Sequence, residues 1–510
     1  MIRPVTGDLD CAEFIAWIEQ APGPIGFAVL MPTTNPSMEQ AVFANSEGIG
    51  WLLCLADAEV IKRGLHHQSL VTRDINRVAL FMRKVCGCIP PDVIDLNVLA
   101  RVTGIDPPLT KGPSELSEAA DVSAFADSVL NSASGAALSR AGRDHQLIHV
   151  LDHITQRGIL LDRRLMTSSL TEAGAASEAL AASFRFNPRS QKKTQQHFDR
   201  LGASYTKYSD SGLPSFSEAG LQTLTHATQP SAVRELAQRM LQYLAAVAPV
   251  AKLEELGRHI ERDDRVRPVI AVSQAITGRM SISNPAIQNI PTTLRHLFLA
   301  EPDRVLVSCD LSQIELRVAA ALSKDEQLIS DLSSGDFYSQ AAKKILGPHA
   351  DGTARKVAKE TTFVALYGGG AQAIANKTGF DLLEATDLLQ QFREIYPTLH
   401  SWGHFLRSRD TITNEFGRTI PIAEGSGYKA VNYMIQSTAR DLFADQILTA
   451  HQDGLDIWLP VHDEIIVQAR HDEAPQVAMR LQDLMTTELL GVPITAKATV
   501  RGPRWAPLPD

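Results

Sequence analysis

Residues 355–369, RKVAKETTFVALYGG, place Arg355, Lys359, Phe363 and Tyr367 four residues apart. On a helix that spacing keeps side chains on one slowly drifting face, and the run covers about 18 Å at 1.5 Å per residue. Cations fill its first half and flat rings its second. An amphipathic helix with surface cations and core aromatics is the plain reading. A sharper one requires something that uses charge and rings together, and the rest of the chain decides between them.

The chain has 510 residues, 44% hydrophobic and 21% charged. That describes a soluble globular protein with core material for several domains. No run approaches the ~20 apolar residues of a membrane helix. The opening MIRPVTGDLDCAEF has acids where an export signal needs an apolar stretch, so a cytoplasmic protein is expected. Five cysteines are scattered, and Cys86 and Cys88 form a C-x-C without a partner pair, which is poor zinc and poor disulfide spacing.

A net charge of −9 argues at first against a polyanionic partner, but its distribution matters more. The first 139 residues hold 9 Lys and Arg against 16 Asp and Glu, and the remainder is nearly balanced, 40 against 42. Within it, residues 185–207 carry Arg185, Arg189, Lys192, Lys193, Arg200 and Lys207 against one acid, Asp199. Such a cluster can follow phosphates without a basic pI; a solvated helical face explains it equally well.

Residues 25–55 read as short strands, VALFMRKV as a helix and PDVIDLNVLA as a strand, together a small α/β domain. Pro, Gly, Ser and Ala dominate residues 103–140, a boundary region with weak helix. Helical periodicity governs 144–265 and 336–406. Between them RVLVSCD (304–310) is a strand with apolar alternation that ends at an aspartate, and SQIELRVAAAL follows with Ser312 placed to cap a helix. LPVHDEIIVQ (459–468) has two β-rich runs around His-Asp-Glu, as in a tight hairpin, and TAKATV (495–500) offers another strand.

Asp310 and Asp463, each alone, are turn or cap residues by default. On adjacent strands of one sheet they could hold two Mg²⁺ ions about 3.5–4 Å apart, the arrangement of in-line phosphoryl displacement. Magnesium favours a few carboxylates completed by substrate phosphates. The face from Arg355 to Tyr367 then suits a nucleoside triphosphate, with the cations at its phosphates and the rings at sugar and base.

At this point the chain resembles a family A DNA polymerase of the DNA polymerase I type. SCDLSQIELR resembles motif A, RKVAKETTFVALYG motif B and VHDEIIV motif C; TGRMSISNPAIQNIP (277–291), YKAVNYMIQSTARDL (428–442) and VPITAKATVRGPRW extend the match, in the family's order from about residue 140 onward. The resemblance implies an α+β right-hand fold: a palm with an antiparallel sheet, and helical fingers and thumb, preceded by a small α/β exonuclease-like (RNase H-like) domain. The expected boundaries are 1–135 exonuclease-like, 136–265 thumb, 266–335 and 410–510 palm, and 336–409 fingers.

By the same resemblance Asp310 and Asp463 bind the metals, two Mg²⁺ with Mn²⁺ able to substitute, and Glu464 supports them. Glu315 is the steric gate that excludes a ribose hydroxyl. Arg355 and Lys359 bind the triphosphate, Lys359 also as general acid toward pyrophosphate. Phe363 stacks on the incoming nucleotide, and as Phe rather than Tyr it implies discrimination against dideoxynucleotides. Tyr367 closes the base-pair pocket, and Gln313 and His462 complete the nucleotide site. Arg279, Asn289, Asn432, Gln436 and His462 contact the primer–template minor groove or primer end, a readout largely blind to sequence; Arg189, Lys192 and Lys193 join the DNA contacts. Leu311 stands where the family usually has Tyr, Val364 where Gly is common, Met434 for a frequent Pro and Ser437 for a frequent Gly, which bears on sugar selectivity and fidelity.

Residues 1–135 occupy the place of a 3′–5′ proofreading domain, whose site needs a D-x-E pair on its first strand and two further aspartates. IGFAVLMPTT contains no acid; the one D-x-E, Asp57–Glu59, follows the second apolar run; Asp74 and Asp95 match later carboxylates loosely; and the expected tyrosine is missing, since the first in the chain is Tyr205. The expectation is a degenerate, inactive exonuclease fold, with no room in this length for a 5′-nuclease domain. The overall reading is a monomeric DNA polymerase without proofreading, acting on primer–template DNA and dNTPs, with accessory replication proteins left open and a phage, plasmid or mobile-element source suggested. The rivals are a single-subunit RNA polymerase, disfavoured by Glu315, Phe363 and the HDE sequence, and a catalytically inactive nucleic-acid-binding homologue, disfavoured by retention of Asp310, Asp463, Arg355 and Lys359.

Overall fold

The computed structural model describes residues 2–5, 8–21, 23–30, 40–47, 49–54, 58–66, 70–105, 115–209, 211–347 and 352–506. Its chain divides into two compact units, one of 1–156, 269–282 and 307–500, the other of 157–268, 283–306 and 501–510.

In the first unit, the N-terminal part is a six-stranded mixed sheet. From edge to edge its strands are Ile2–Pro4, Gly50–Cys54, Gln40–Ala44, Ile25–Leu30, Leu70–Thr72 and Ile94–Asp95. The three strands from Ile25 to Cys54 form an antiparallel meander, and Leu70–Thr72 and Ile94–Asp95 add in parallel. The run PDVIDLNVLA is strand only at Ile94–Asp95 and then turns into the helix Leu96–Thr103, because the Asp95 side chain accepts from Val98 N and caps it. The weak helix expected between 103 and 140 is a full one, Glu115–Ser132, laid directly on Ile25–Leu30. Ala28, Val42 and Ala44 pack against Ala119, and a Cβ on Gly26 would fall 1.6 Å from the Ala119 carbonyl oxygen.

Asp74 and Asp95 of this domain are used as helix caps. Asp74 accepts from Asn76 N at the start of Ile75–Cys86; Asp95 accepts from Ile75 N at 2.8 Å as well as from Val98 N. Glu59 sits exposed in the first turn of the helix Ala58–Leu65, while Asp57 lies outside the described residues.

The long helix Gly135–Arg157, placed by sequence at the start of the thumb, falls almost wholly in this first unit. The reason is a buried ion cluster. Asp144 accepts from Arg140, Arg418 and Arg440, and Asp441 accepts from Arg418, Arg440 and Asn414. The side chains of Asp144, Asp441 and Arg418 are fully buried. Arg140 also reaches Asp445 at 2.6 Å, Arg440 the carbonyl of Val272 at 2.8 Å, and Arg418 that of Arg101. Gly278, at φ +76, leaves the space through which the Arg418 guanidinium passes. Burial alone pushes both aspartates up, but Arg440, Arg418 and Arg140 outweigh it at Asp144, and Arg418 and Arg440 at Asp441, so both are held below the ordinary carboxylate range. Their contribution to stability is present in full above about pH 4 and is lost as pH falls through the depressed values.

The polymerase-like part of this unit carries a four-stranded sheet, in order Ile457–Val461, Glu464–Arg470, Arg304–Leu311 and Ala496–Gly502. The predicted alternation in RVLVSCD is replaced by burial on both faces from Val305 to Cys309. Between Arg304–Leu311 and Ile457–Val461 the chain runs through the helices Ile314–Ser323, Glu326–Ser333, Phe337–Leu346, Gly352–Leu366, Ala371–Thr378, Leu382–Ile395 and Pro397–Arg407, then the hairpin of Thr411–Thr413 and Thr419–Pro421 and the long helix Ala430–Gln452.

The second unit holds the helices Arg163–Ala182, Gln191–Arg200, Glu218–Thr223 and Ser231–His259. They close on an aromatic core that includes Phe184, Phe198, Leu221, Met240 and Tyr243. Its small sheet pairs Phe298–Leu299 with Ile159–Leu161 and that strand with Arg265–Val266.

Replacing Arg418 by Met leaves Asp144 and Asp441 each short of a buried partner. The expected loss is about 3–5 kcal/mol, read as a lower urea midpoint for the first unit; an unchanged midpoint would mean the cluster does not hold these segments together.

Candidate active site

The sheet brings the two sequence-predicted aspartates together. Ile457–Val461 and Glu464–Arg470 form an antiparallel hairpin whose register pairs Val461 with Glu464, leaving His462 and Asp463 as a two-residue turn. His462 takes φ 57, a left-handed conformation uncommon for a residue with a side chain, and is exposed. Asp310 is exposed near the end of Arg304–Leu311, and the next residue, Leu311, donates its N–H to the Asp463 carbonyl at 3.1 Å. Cys309, buried in the strand just before Asp310, is pushed up to about 12 by burial and by the charges of Asp310 and Glu464.

The helix after Asp310 begins one residue later than predicted. Gln313, at φ 54, occupies the cap position of Ile314–Ser323 without a side-chain cap bond, in place of Ser312. That left-handed step puts Glu315 in the first turn, with only 17% of its side chain exposed. Arg279 and Tyr367 both donate to the Glu315 carboxylate, Arg279 by a guanidinium N–H and Tyr367 by its phenol. Burial raises Glu315 above the usual range against the pull of Arg279, and the neighbouring Asp463 raises it further. Asp463 is raised too, by burial first, with Arg279 and His462 opposing and Glu464 adding to it. Carboxylates lifted by burial and by one another are the electrostatic signature of a cation site. Among the described residues no three His, Cys, Asp or Glu side chains close on one metal position. A pair of aspartates completed by water and phosphate is the donor set that suits Mg²⁺.

The opening motif forms the helix Gly352–Leu366. Tyr367 lies one residue beyond it, its N–H still bonded to the Phe363 carbonyl, so the four-residue ladder is kept. Arg355 and Lys359 are exposed, whereas Phe363 and Tyr367 are half-buried with ring centroids 6.0 Å apart. Leu311, fully buried, offers Glu315 no hydroxyl; the hold on Glu315 comes from Tyr367 and Arg279.

Two residues of this site escaped sequence reasoning. Tyr338, in Phe337–Leu346, lays its ring under both cations, 5.5 Å from the Arg355 guanidinium carbon and 5.8 Å from Lys359 Nζ, and 6.3 Å from the Phe363 ring. Asp336 grips Arg355 through Nε at 2.7 Å and Nη2 at 3.1 Å. The available signal was the Asp-Phe-Tyr-Ser run before a helical stretch, a cap pattern that does not by itself indicate a ligand.

Of the expected DNA contacts, Asn432 and Gln436 lie in the helix Ala430–Gln452, both half-buried, and Asn432 Oδ1 is buried without a hydrogen-bond partner. Asn289, Arg189, Lys192 and Lys193 belong to the other unit. There Arg189 is tied to the Tyr243 hydroxyl, Lys192 and Lys193 are exposed on Gln191–Arg200, and Asn289 is exposed.

With this geometry in view, comparison with known proteins gives the class. Residues 163–507 match the family model for DNA polymerase family A, and the chain belongs to that family. It is 29% identical over 393 residues to the DNA polymerase of Mycobacterium phage D29, covering 72% of this chain and 63% of the relative. It is 29% identical over 403 residues to DNA polymerase I of Pseudomonas aeruginosa, covering 70% and 43%. The chain thus spans less than two thirds of the length of the curated relatives it matches. A solved structure, the POL domain of Pol1 from M. smegmatis in complex with DNA primer-template and dNTP, superposes with a TM-score of 0.80 at 20% identity over 99% of each chain, a shared fold.

The unusual Val364 has a counterpart. A Cβ on Gly369 would meet Val364 Cγ1 at 2.6 Å, so the valine occupies the space that a side chain at 369 would need. Gly369→Ala should cost about 1–3 kcal/mol through overpacking against a stiff β-branched residue. Val364→Ala in the same chain should recover most of it, measured as thermal midpoints around a double-mutant cycle; strictly additive losses would show that the two positions do not share that space.

Proposed function

We propose that this chain is a template-directed DNA polymerase that extends a primer 3′ end with deoxynucleotides, releases pyrophosphate and does not proofread. The observation that carries the proposal is the Leu311–Asp463 backbone bond, which sets the strand end that bears Asp310 beside the turn that bears Asp463, next to a Glu315 that is linked through Tyr367 to the end of the cation helix.

Asp310 and Asp463 would hold two Mg²⁺ ions, for which Mn²⁺ could substitute, with Glu464 supporting the pair. When bound, the ions lower the pKa of the primer hydroxyl and neutralise charge on the departing pyrophosphate. Arg355 and Lys359 bind the triphosphate, and Lys359 Nζ gives a proton to the leaving oxygen. Phe363 stacks on the base, and Gln313 and His462 border the nucleotide. Glu315, held by Arg279 and Tyr367, stands against C2′ of the sugar and selects deoxyribose. Asn432, with its unpaired oxygen, Gln436, Arg279 and Asn289 contact the primer–template, and Arg189, Lys192 and Lys193 its phosphates. In this reading 136–265 is the thumb, 266–335 and 410–510 the palm and 336–409 the fingers, with 1–135 a degenerate exonuclease-like domain. The mycobacteriophage relatives favour a phage-type replicase; we read it as a monomer in the cytoplasm of its host.

Asp310→Ala should reduce primer extension to below about one thousandth while primer–template binding persists, and rNTPs should extend poorly beside dNTPs; extension by that variant would remove the assignment, and efficient rNTP use would favour an RNA polymerase. On a mismatched primer terminus with Mg²⁺ and no dNTP, the 3′ nucleotide should stay in place. Its release would reveal a working nuclease.

A further inference from the structure

Asp336 puts an anion against the cation assigned to the triphosphate. It accepts from Arg355 Nε at 2.7 Å and Nη2 at 3.1 Å, and its Oδ2 also accepts from Ser339 Oγ at 2.5 Å. It sits at the cap of Phe337–Leu346, where the N-terminal end of the helix favours a carboxylate. The hydrogen bond from Arg355 holds it down to about 2, so it is ionised throughout the working range.

An exposed arginine otherwise samples many rotamers, and fixing it on a ligand costs conformational entropy. Here the side-on grip of the carboxylate uses two of the five guanidinium N–H donors and leaves three, both on Nη1 and one on Nη2, turned away from Asp336. The Tyr338 ring supports the same guanidinium from another side. The obvious objection is that a fixed anion repels a triphosphate. That repulsion is small, because the charge of Asp336 is already neutralised by Arg355, and an approaching anion meets the guanidinium end of the pair.

Resting on the polymerase reading above, we propose that Asp336 is a positioning residue: it aims Arg355 before the nucleotide arrives, so that the incoming triphosphate meets a guanidinium already oriented. Asp336 itself does not touch the nucleotide. Its effect passes through Arg355 and is absent when Arg355 is absent.

The test uses the full chain on a primed template, with Asp336→Ala, Asp336→Asn, Arg355→Ala and the double variant Asp336→Ala/Arg355→Ala. Extension gives KM and kcat for dTTP; equilibrium binding of dTTP with Mg²⁺ to the complex with a dideoxy-terminated primer gives affinity without turnover. Asp336→Ala and Asp336→Asn should raise KM and Kd about tenfold, the scale of one charge-assisted contact, with kcat within a factor of about three of the original. The double variant should bind no more weakly than Arg355→Ala alone. A purely structural cap would instead lower the thermal midpoint and cost affinity equally in both backgrounds. Unchanged or tighter dTTP binding by Asp336→Ala, or additive losses in the double variant, overturns the assignment while leaving polymerase activity intact. If the unsubstituted chain neither binds dTTP nor extends primers, the polymerase reading falls and this one with it.

Discussion

The first unit depends on one arrangement of charge: Asp144 and Asp441, buried from solvent and shared among Arg140, Arg418 and Arg440. Such a cluster adds little net stability over an apolar core, because desolvation of each ion offsets the attraction. What it adds is registry. Five pieces of chain distant in sequence must meet within hydrogen-bond reach: Gly135–Arg157, the hairpin turn at Asn414 and Arg418, the helix Ala430–Gln452, the carbonyl of Val272, and that of Arg101 in the N-terminal domain. Few alternative packings satisfy all these ions, so the helix bearing Asn432 and Gln436 is set in rotation and depth. The N-terminal six-stranded domain is tied to the rest of this unit through the same network, because the Arg101 carbonyl accepts from Arg418.

The active-site carboxylates follow the opposite rule. Glu315 and Asp463 are raised first by burial, Glu315 further by Asp463 and Asp463 further by Glu464, and Arg279 offsets only part of it at each. These two groups of acids, one fully buried and one half-buried, are in different electrostatic states. One is saturated with guanidinium groups and is structural. The other keeps excess negative charge beside a helix of exposed cations, and that imbalance is what a divalent ion and a polyphosphate together would correct.

Much of this was legible from residue types and spacing. The ladder from Arg355 to Tyr367, the strand before Asp310 and the hairpin around Asp463 are local patterns, and local patterns translate directly into backbone. The cap at Gln313 and the helix from Leu96 were misjudged by a few residues because left-handed steps and side-chain caps leave weak traces in composition. The ion cluster was invisible for a different reason. Arg140 and Asp441 lie 301 residues apart in the chain, and nothing in either neighbourhood distinguishes a buried partner from a surface charge. Asp336 and Tyr338 were missed likewise, since their meaning lies in facing the next helix.

The N-terminal domain sharpens the contrast. Its surviving acids have backbone partners: Asp74 holds Asn76 N, and Asp95 holds Ile75 N and Val98 N while its own N–H donates to His145 Nε2. A carboxylate that caps a helix is oriented along the helix axis and has its lone pairs engaged, which is a poor start for metal binding. The sheet face at Ala28 is covered at van der Waals contact by Ala119, with no volume for a side chain on Gly26. Restoring a single acid on that strand would therefore bury an unpaired charge under a helix rather than rebuild a cleft. The Asp74 and Asp95 carboxylates and the Asp310–Asp463 pair, built from the same residue type, thus differ in their surroundings: backbone donors at helix starts in the first case, a strand end and a hairpin turn in the second.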